Sequence, residues 1–140
     1  MRIDIVCIGK LREDYLRAAQ AEYVKRLGPY ARLTVTEAAD ERAMEKALAG
    51  GAHPIALAID GRALTSEGLA HKLQNMAVDG MSHIAFIIGG AEGLSPHILG
   101  LCPMKLSLSA MTFPHQLARI ILLEQIYRAF KIINNEPYHK

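Results

Sequence analysis

The sequence has no tryptophan and only two cysteines among its 140 residues. Cys7 and Cys102 stand far apart and form no CxxC pair, which predicts two small buried thiols in a reduced, intracellular protein. The six histidines show no HxH or HExxH spacing and have no cysteine partners, so we expect no metal site. A chain of this length has room for a core of its own, which favours a single domain over residues 1–140.

Long apolar runs are also missing. No stretch approaches the roughly 20 apolar residues of a membrane-spanning helix. Met1–Val6 carries Asp4 inside its apolar run, which predicts a strand and not a signal peptide. We therefore expect a cytoplasmic protein with no membrane partner. The phosphate-loop endings GKS and GKT are absent, as is GxGxxG, so a nucleotide-phosphate site has little support.

The net charge of +2 is small, but the charges are unevenly distributed. Residues 1–32 hold seven Lys/Arg against four acids, residues 33–112 hold five against eight, and residues 113–140 hold four against two. A basic surface built from the two ends of the chain would attract a polyanion. Solvated faces without a partner are the alternative.

Strand-like and helix-like patterns alternate along the chain. The predicted strands are Arg2–Ile8, Leu33–Thr36, Pro54–Ile59, His83–Ile88 and Lys105–Ser109. The predicted helices are Arg12–Leu27, Glu41–Leu48, Thr65–Val78, Ser95–Gly100 and Pro114–Ile133, with Thr65, Ser95 and Thr112 as N-caps. Asp60-Gly61 is a predicted turn. The alternation predicts an α/β fold with a mostly parallel sheet and helices on both faces.

Two loops are the best candidates for a binding site. One follows the buried strand at Ile88 and contains Gly89, Gly90 and Gly93; the other follows Leu108. Glycines let a backbone approach a ligand closely, and α/β sheets bind ligands beyond the carboxyl ends of their strands. We predict a nucleotide-like ligand here. The alternative is that the Gly-Gly pair only turns a strand into a loop.

Several separated motifs together resemble one family. They are Gly9–Leu11, Glu22–Leu27, Ile88–Ser95, Leu106–Gln116, Arg119, Glu124–Ala129 and Tyr138–Lys140. In this order, and over the whole chain, they resemble the ribosomal RNA large-subunit methyltransferase H family of the SPOUT superfamily. The resemblance implies a SPOUT-type α/β knot, in which the C-terminal segment of one SPOUT methyltransferase domain is threaded through a trefoil knot.

The resemblance also implies an activity. A homodimer would bind S-adenosyl-L-methionine in the knot and methylate N3 of a pseudouridine in helix 69 of bacterial 23S rRNA, on assembled ribosomes. Matched position by position, the donor contacts fall at Ile59, Gly89, Leu108, Ser109, Ala110, Met111, Thr112 and Phe113. Ile59 departs conservatively from the leucine common at that position.

Methylation at N3 needs a group that accepts the N3 proton and a cation that favours negative charge on the base. His115 and Arg119 are one helical turn apart and are expected to share a face, and Arg128 lies further along the same helix. The alternatives are that His115 caps local backbone and that Glu124 and Arg128 form an ordinary surface ion pair.

The chain ends in Tyr138, His139 and Lys140. Chain ends are commonly frayed, but the resemblance implies that these residues contact RNA or complete the site, with Tyr138 stacking and Lys140 binding phosphate. His139 is a second candidate for the proton acceptor. The candidate catalytic residues are thus His115, Arg119, Arg128, Tyr138 and His139.

Two other functions stay open at this point. One is a non-catalytic module that binds ribosomes, and the other is an S-adenosylmethionine-dependent methyltransferase acting on another RNA. Tyr15, Tyr23 and Tyr30 stand near basic residues, so they either form an RNA-stacking surface or pack against the core. The last helix is apolar around much of its circumference, which indicates burial in the core or against a partner chain.

Overall fold

The computed structural model describes residues 1–140 as five strands and five helices that alternate along the chain. The strands are β1 (Arg2–Ile8), β2 (Arg32–Ala38), β3 (His53–Ala63), β4 (His83–Ile88) and β5 (Met104–Ser107). The helices are α1 (Asp14–Leu27), α2 (Glu41–Leu48), α3 (Ser66–Val78), α4 (Pro96–Gly100) and α5 (His115–Ile133). Every predicted element is present, so the predicted α/β fold is confirmed.

The five strands form one parallel sheet in the order β2-β1-β4-β3-β5. The central strands β1 and β4 are nearly continuous apolar runs because both faces of the sheet are covered. On one face α1, α3 and α5 bury Leu27, Leu73 and Leu122. On the other face α2 and α4 bury Met44 and Ile98.

The predicted turn at Asp60-Gly61 is wrong, because β3 runs through it. The pairing of β3 with β5 shifts register there, so that Leu57 and Arg62 both align with Leu106. A Cβ atom on residue 61 would lie 2.8 Å from the backbone of β5, so this close approach requires glycine. A turn dipeptide therefore marks a strand irregularity here and not a strand end.

Two of the three predicted helix caps are confirmed. The hydroxyls of Thr65 and Ser95 each accept a hydrogen bond from the backbone N–H three residues later, at 2.9 and 3.3 Å. The predicted cap at Thr112 is wrong, because Pro114 takes the N-cap position of α5 and offers no side-chain hydrogen bond. Thr112 lies instead in the loop before α5.

Most of the apolar surface of α5 is buried within the chain. Leu122, Leu123, Ile126 and Ala129 are fully buried in the core that α5 shares with α1 and α3. Only Leu117 remains 39% exposed among the large apolar residues of this helix. The first of the two predicted environments, burial in the core, therefore accounts for most of the helix. No helix has the length and hydropathy needed to cross a membrane.

Candidate functional site

A pocket lies beyond the carboxyl ends of β4 and β5 and beside residues 57–59 in the middle of β3, and its volume is about 580 Å³ when the open mouth is included. Nine of its fifteen lining residues are hydrophobic, which suits a largely apolar ligand with a few polar groups. The lining residues are Leu57, Ala58, Ile59, Ile88, Gly89, Gly90, Gly93, Leu106, Leu108, Ser109, Met111, Thr112, Phe113, His115 and Ala118.

The glycine loop after β4 folds back on itself at the pocket wall. Gly93 donates a backbone hydrogen bond to the carbonyl of Gly90 at 3.0 Å and has a φ of 77°. A Cβ on residue 89 would lie 2.6 Å from the Gly93 carbonyl carbon, so no side chain fits there. The tight fold presents bare main chain to the pocket, where a ligand could approach it closely.

The second wall is the loop between β5 and α5. The Ser107 hydroxyl donates to the carbonyl of Ser109 at 3.1 Å, and the Ser109 hydroxyl accepts from the backbone N–H of Met111 at 2.9 Å. These short-range bonds are the usual work of serine in turns. They fix the path of the loop while the Met111 side chain remains 76% exposed at the rim.

Seven of the eight residues predicted to contact the donor line this one pocket; Ala110, in the same loop, does not. His115, predicted as a catalytic residue, also lines it. Four lining residues were not predicted as site residues: Leu57, Ala58, Leu106 and Ala118. The other three, Ile88, Gly90 and Gly93, belong to the predicted glycine loop or directly precede it. A signal for Leu106 was available, because it lies in the short predicted strand that precedes the second loop, but the pairing of β3 with β5 that brings Ala58 there is not visible in the sequence.

Arg119 is not at the pocket. Its side chain is 1% exposed and lies in an internal network. It donates to Glu37 at 2.7 Å, to Gln20 at 3.2 Å and to the carbonyl of Gly9 at 3.0 Å. Arg119 therefore lies outside the pocket that His115 lines, and a contact between Arg119 and the reacting base stays a prediction.

The two Nη atoms of Arg119 donate all three of these hydrogen bonds, while its buried Nε has no partner. Burial raises the pKa of Glu37, but hydrogen bonds from Arg119 and from the backbone N–H of Leu11 outweigh that effect and hold the pKa below its ordinary value. The network joins α1, α5 and the ends of β1 and β2. Its function within the protomer is to hold these elements together.

The C-terminal residues form a second group, which we call the tail cluster: Glu67, Glu124, Arg128, Tyr138 and His139. Arg128 binds both carboxylate oxygens of Glu124, at 2.8 and 3.3 Å, and lies over the Tyr138 ring. The Tyr138 hydroxyl donates to Glu124 at 2.8 Å. The His139 ring contacts Arg128 at 3.0 Å and Glu67 at 2.6 Å.

The tail cluster shows that the chain end is not frayed and that Glu124 and Arg128 form more than a surface pair. Burial and the bond to Glu124 raise the pKa of Tyr138 to about 12, so its phenol stays neutral at physiological pH. However, Arg128, Tyr138 and His139 do not line the pocket of their own protomer. Lys140 is exposed and makes no side-chain contact with a carboxylate.

Two of the remaining histidines and two of the remaining tyrosines have structural partners. His83 lies 2.8 Å from Asp4, and His97 lies 3.1 Å from Glu45. Tyr23 and Tyr30 pack against Tyr127 with ring centroids 6.4 and 6.2 Å away, which favours the packing alternative for these two. Tyr15 is 69% exposed.

Neither cysteine is in a disulfide, and both are buried. Burial raises the pKa of the Cys7 thiol to about 11, so the thiol is protonated and unreactive at neutral pH. No group of three His, Cys, Asp or Glu side chains is arranged to hold a metal ion.

Solved structures share this fold. A probable methyltransferase from Bordetella pertussis superposes with a TM-score of 0.64 at 15% identity, over 92% of this chain and 96% of that chain. A probable methylase family protein from Haemophilus influenzae gives 0.60 at 19% identity, over 99% and 70%. The fold defines the class: an α/β protein with a parallel sheet, built like these two proteins.

The sequence comparisons narrow this class. A family model described as a predicted SPOUT methyltransferase matches residues 1–139. Proteins named ribosomal RNA large subunit methyltransferase H align over the full length of both chains, at 50% identity in Bifidobacterium animalis subsp. lactis and 45% in Bacillus pumilus. The chain belongs to the SPOUT methyltransferases and, among them, to the ribosomal RNA large subunit methyltransferase H family. SPOUT methyltransferases use S-adenosylmethionine as the methyl donor.

Proposed function

We propose that this protein transfers a methyl group from S-adenosyl-L-methionine to N3 of a pseudouridine in helix 69 of bacterial 23S rRNA, on assembled ribosomes in the cytoplasm. The observation that carries the proposal is the convergence of three distant segments on one pocket: Ile59, Gly89 and the loop 108–113. These are the segments at which the family resemblance places the donor contacts. The trefoil knot that the resemblance implies is part of the same proposal.

The residues present fit the donor. Ile59, Leu108 and Phe113 would enclose the apolar faces of adenine, and the main chain at Gly89 and Gly90 would lie beside the polar ribose and methionine portions. When bound, S-adenosylmethionine supplies a methyl group already activated on a sulfonium. The protein then has to align the acceptor base with that methyl group and remove the N3 proton.

The hydrogen bonds around the two candidate proton acceptors support the choice of one of them. Arg128 can only donate, so Nδ1 of His139 must be the unprotonated nitrogen and Nε2 must carry the proton that faces Glu67. His139 therefore has no free basic nitrogen. His115 lines the pocket and its ring makes no hydrogen bond within the protomer. We assign proton acceptance to His115, and to His139 the positioning of the tail.

A homodimer is part of the proposal. Ile59 and Met111 line the pocket and expose 58% and 76% of their surface, and Leu117, which directly precedes the lining residue Ala118 on α5, is 39% exposed. Contact between two such rims would bury these apolar groups. It would also allow the tail cluster of one protomer to serve the pocket of its partner, which explains why Arg128 is close to an acidic and aromatic group but not to its own pocket.

Sedimentation of the wild type and of Leu117→Glu tests the dimer. We expect a dimer for the wild type and a monomer for the variant, since a buried unpaired carboxylate opposes association. Val78→Glu is the control, because Val78 is 81% exposed at the far end of α3. A monomeric wild type, or a Leu117→Glu protein that remains dimeric, would contradict the proposal.

Calorimetry with S-adenosylmethionine tests the donor site. We expect one binding site per protomer. A non-catalytic ribosome-binding module has no need of the donor, so an absence of binding would contradict the enzyme and favour that module.

A further inference from the structure

The segment Gly9–Arg12, which we call the basic loop, joins β1 to α1 and has no regular secondary structure. Most of its backbone N–H and C=O groups nevertheless form hydrogen bonds. From α5, the Gln116 amide donates to the carbonyl of Lys10 at 3.1 Å and accepts from the N–H of Arg12 at 3.2 Å. Arg119 donates to the carbonyl of Gly9 at 3.0 Å. The backbone of the loop is thus clamped to the first two turns of α5.

Other elements hold the middle of the basic loop. The N–H of Leu11 donates to Glu37 of β2 at 3.2 Å, and its carbonyl accepts from Arg17 of α1 at 2.8 Å. The Leu11 side chain is 5% exposed and packs in a small cluster with Leu16 and Ile120. A loop with a buried apolar anchor and paired backbone groups has little freedom to move.

The basic loop lies next to the pocket. A Cβ on Gly90, a lining residue, would lie 3.4 Å from the side chain of Ile8, which directly precedes the loop. On the other side, Gln116 follows His115, which also lines the pocket. The loop is therefore fixed to both the sheet side and the helix side of the same site.

Two side chains of the basic loop are left for a partner. Lys10 and Arg12 are exposed, form no ion pair within 4.0 Å and make no side-chain hydrogen bond. The neighbouring Arg17, in contrast, is paired with Asp14. The fold thus fixes the backbone of the loop while neither cation forms an ion pair, and Lys10 acts on Glu37 only at longer range.

We propose that Lys10 and Arg12 bind backbone phosphates of the RNA substrate at the mouth of the donor pocket. Phosphate contacts set the orientation and register of a nucleic acid without reading its sequence. A rigid loop supplies them without the cost of ordering a flexible one on binding. The inference rests on the proposed RNA methyl transfer, because that reaction is what places an RNA at this pocket.

The test is equilibrium filter binding of intact ribosomes and of free large-subunit rRNA at several potassium chloride concentrations. We compare the wild type with Lys10→Ala/Arg12→Ala. The control is Arg42→Ala/Lys46→Ala, which removes the same charges from exposed positions on α2, across the sheet. We expect the loop variant to bind at least about tenfold more weakly, with a salt slope reduced by about 1.5, as for the loss of two phosphate contacts. We expect the control to change binding less than twofold.

Donor affinity and the melting temperature should be unchanged in the loop variant, and the charge-preserving variant Lys10→Arg/Arg12→Lys should restore binding. The inference is overturned if the loop variant binds as tightly as the wild type, if the control is equally weakened, or if the wild type binds neither RNA. A wild type that binds RNA through these two cations but transfers no methyl group to helix 69 would leave this inference standing and remove the proposed target.

Discussion

Gly89 and Gly93 lie so close across the pocket loop that a Cβ atom on Gly89 would be 2.6 Å from the carbonyl carbon of Gly93. The atoms it would meet are backbone, so no side-chain rotation can relieve the overlap. The glycine is therefore a geometric requirement of the pocket wall and not merely a permissive turn residue. The close approach explains why position 89 is glycine, and a contact between the Gly-Gly pair and a ligand stays a prediction.

The substitution Gly89→Ala is expected to displace the loop and weaken donor binding by at least about tenfold, with a stability cost of about 1–3 kcal/mol. Calorimetry and chemical denaturation measure the two effects. Gly100→Ala is the control, since a Cβ there meets nothing within 4 Å. Unchanged donor affinity in Gly89→Ala would show that the glycine loop is not part of the donor site.

The substitution Arg119→Met is expected to cost about 3 kcal/mol of unfolding free energy, because it removes a buried cation and leaves Glu37, Gln20 and the Gly9 carbonyl without their donor. The unfolding free energy of Arg119→Lys should lie between those of the wild type and Arg119→Met, since lysine keeps the charge but not the forked donor geometry. Urea denaturation measures both. A normally stable Arg119→Met protein with a selective loss of turnover would contradict the structural role and support the predicted catalytic one.

The same ion pair predicts a dependence of stability on pH. The pKa of Glu37 is lowered in the folded protein from its ordinary value of 4.5, so its contribution is fully present above that value and is lost as the pH falls through the folded pKa. Glu37→Gln should therefore lose less stability than the wild type on acidification below pH 4.5. Glu92→Gln, at an exposed carboxylate without a hydrogen bond, is the charge-matched control. Parallel pH profiles for the wild type and Glu37→Gln would contradict the assignment.

Removal of Tyr138, His139 and Lys140 is expected to abolish methyl transfer while leaving donor affinity within about twofold, because the tail cluster lies outside the pocket of its own protomer. Removal of Lys140 alone deletes no contact within the protomer and serves as the comparison. Transfer and calorimetry are measured on the same preparations. Full activity in the longer truncation would exclude a role of the tail in the reaction.

Local signals in the sequence were enough for most of the fold. The apolar runs of β1 and β4 and the cap at Ser95 depend on neighbouring residues only, and the structure confirms them. The run Asp60-Gly61 failed as a turn because β3 is extended by pairing with β5, whose residues lie far along the chain. Local turn chemistry does not report such a pairing.

For the candidate site, too, some residues were predictable from local signals and others were not. The two loops were predictable because each follows a strand end in a parallel sheet, and such ends share one edge. Arg119 was misplaced because helical spacing gives the face of a residue but not its neighbours. Its partner Glu37 is 82 residues away in the sequence, so no local pattern connects them.

The most direct test of the proposed methyl transfer uses tritiated S-adenosylmethionine and ribosomes that lack the modification. Free 23S rRNA and transfer RNA are compared as substrates, and the labelled nucleotide is then mapped. We expect label on assembled ribosomes at N3 of the helix 69 pseudouridine, and we expect this label to be lost when His115 is replaced by Ala. Label confined to another nucleotide or another RNA would contradict the proposed target, and no label on any of the three substrates would contradict the proposed activity.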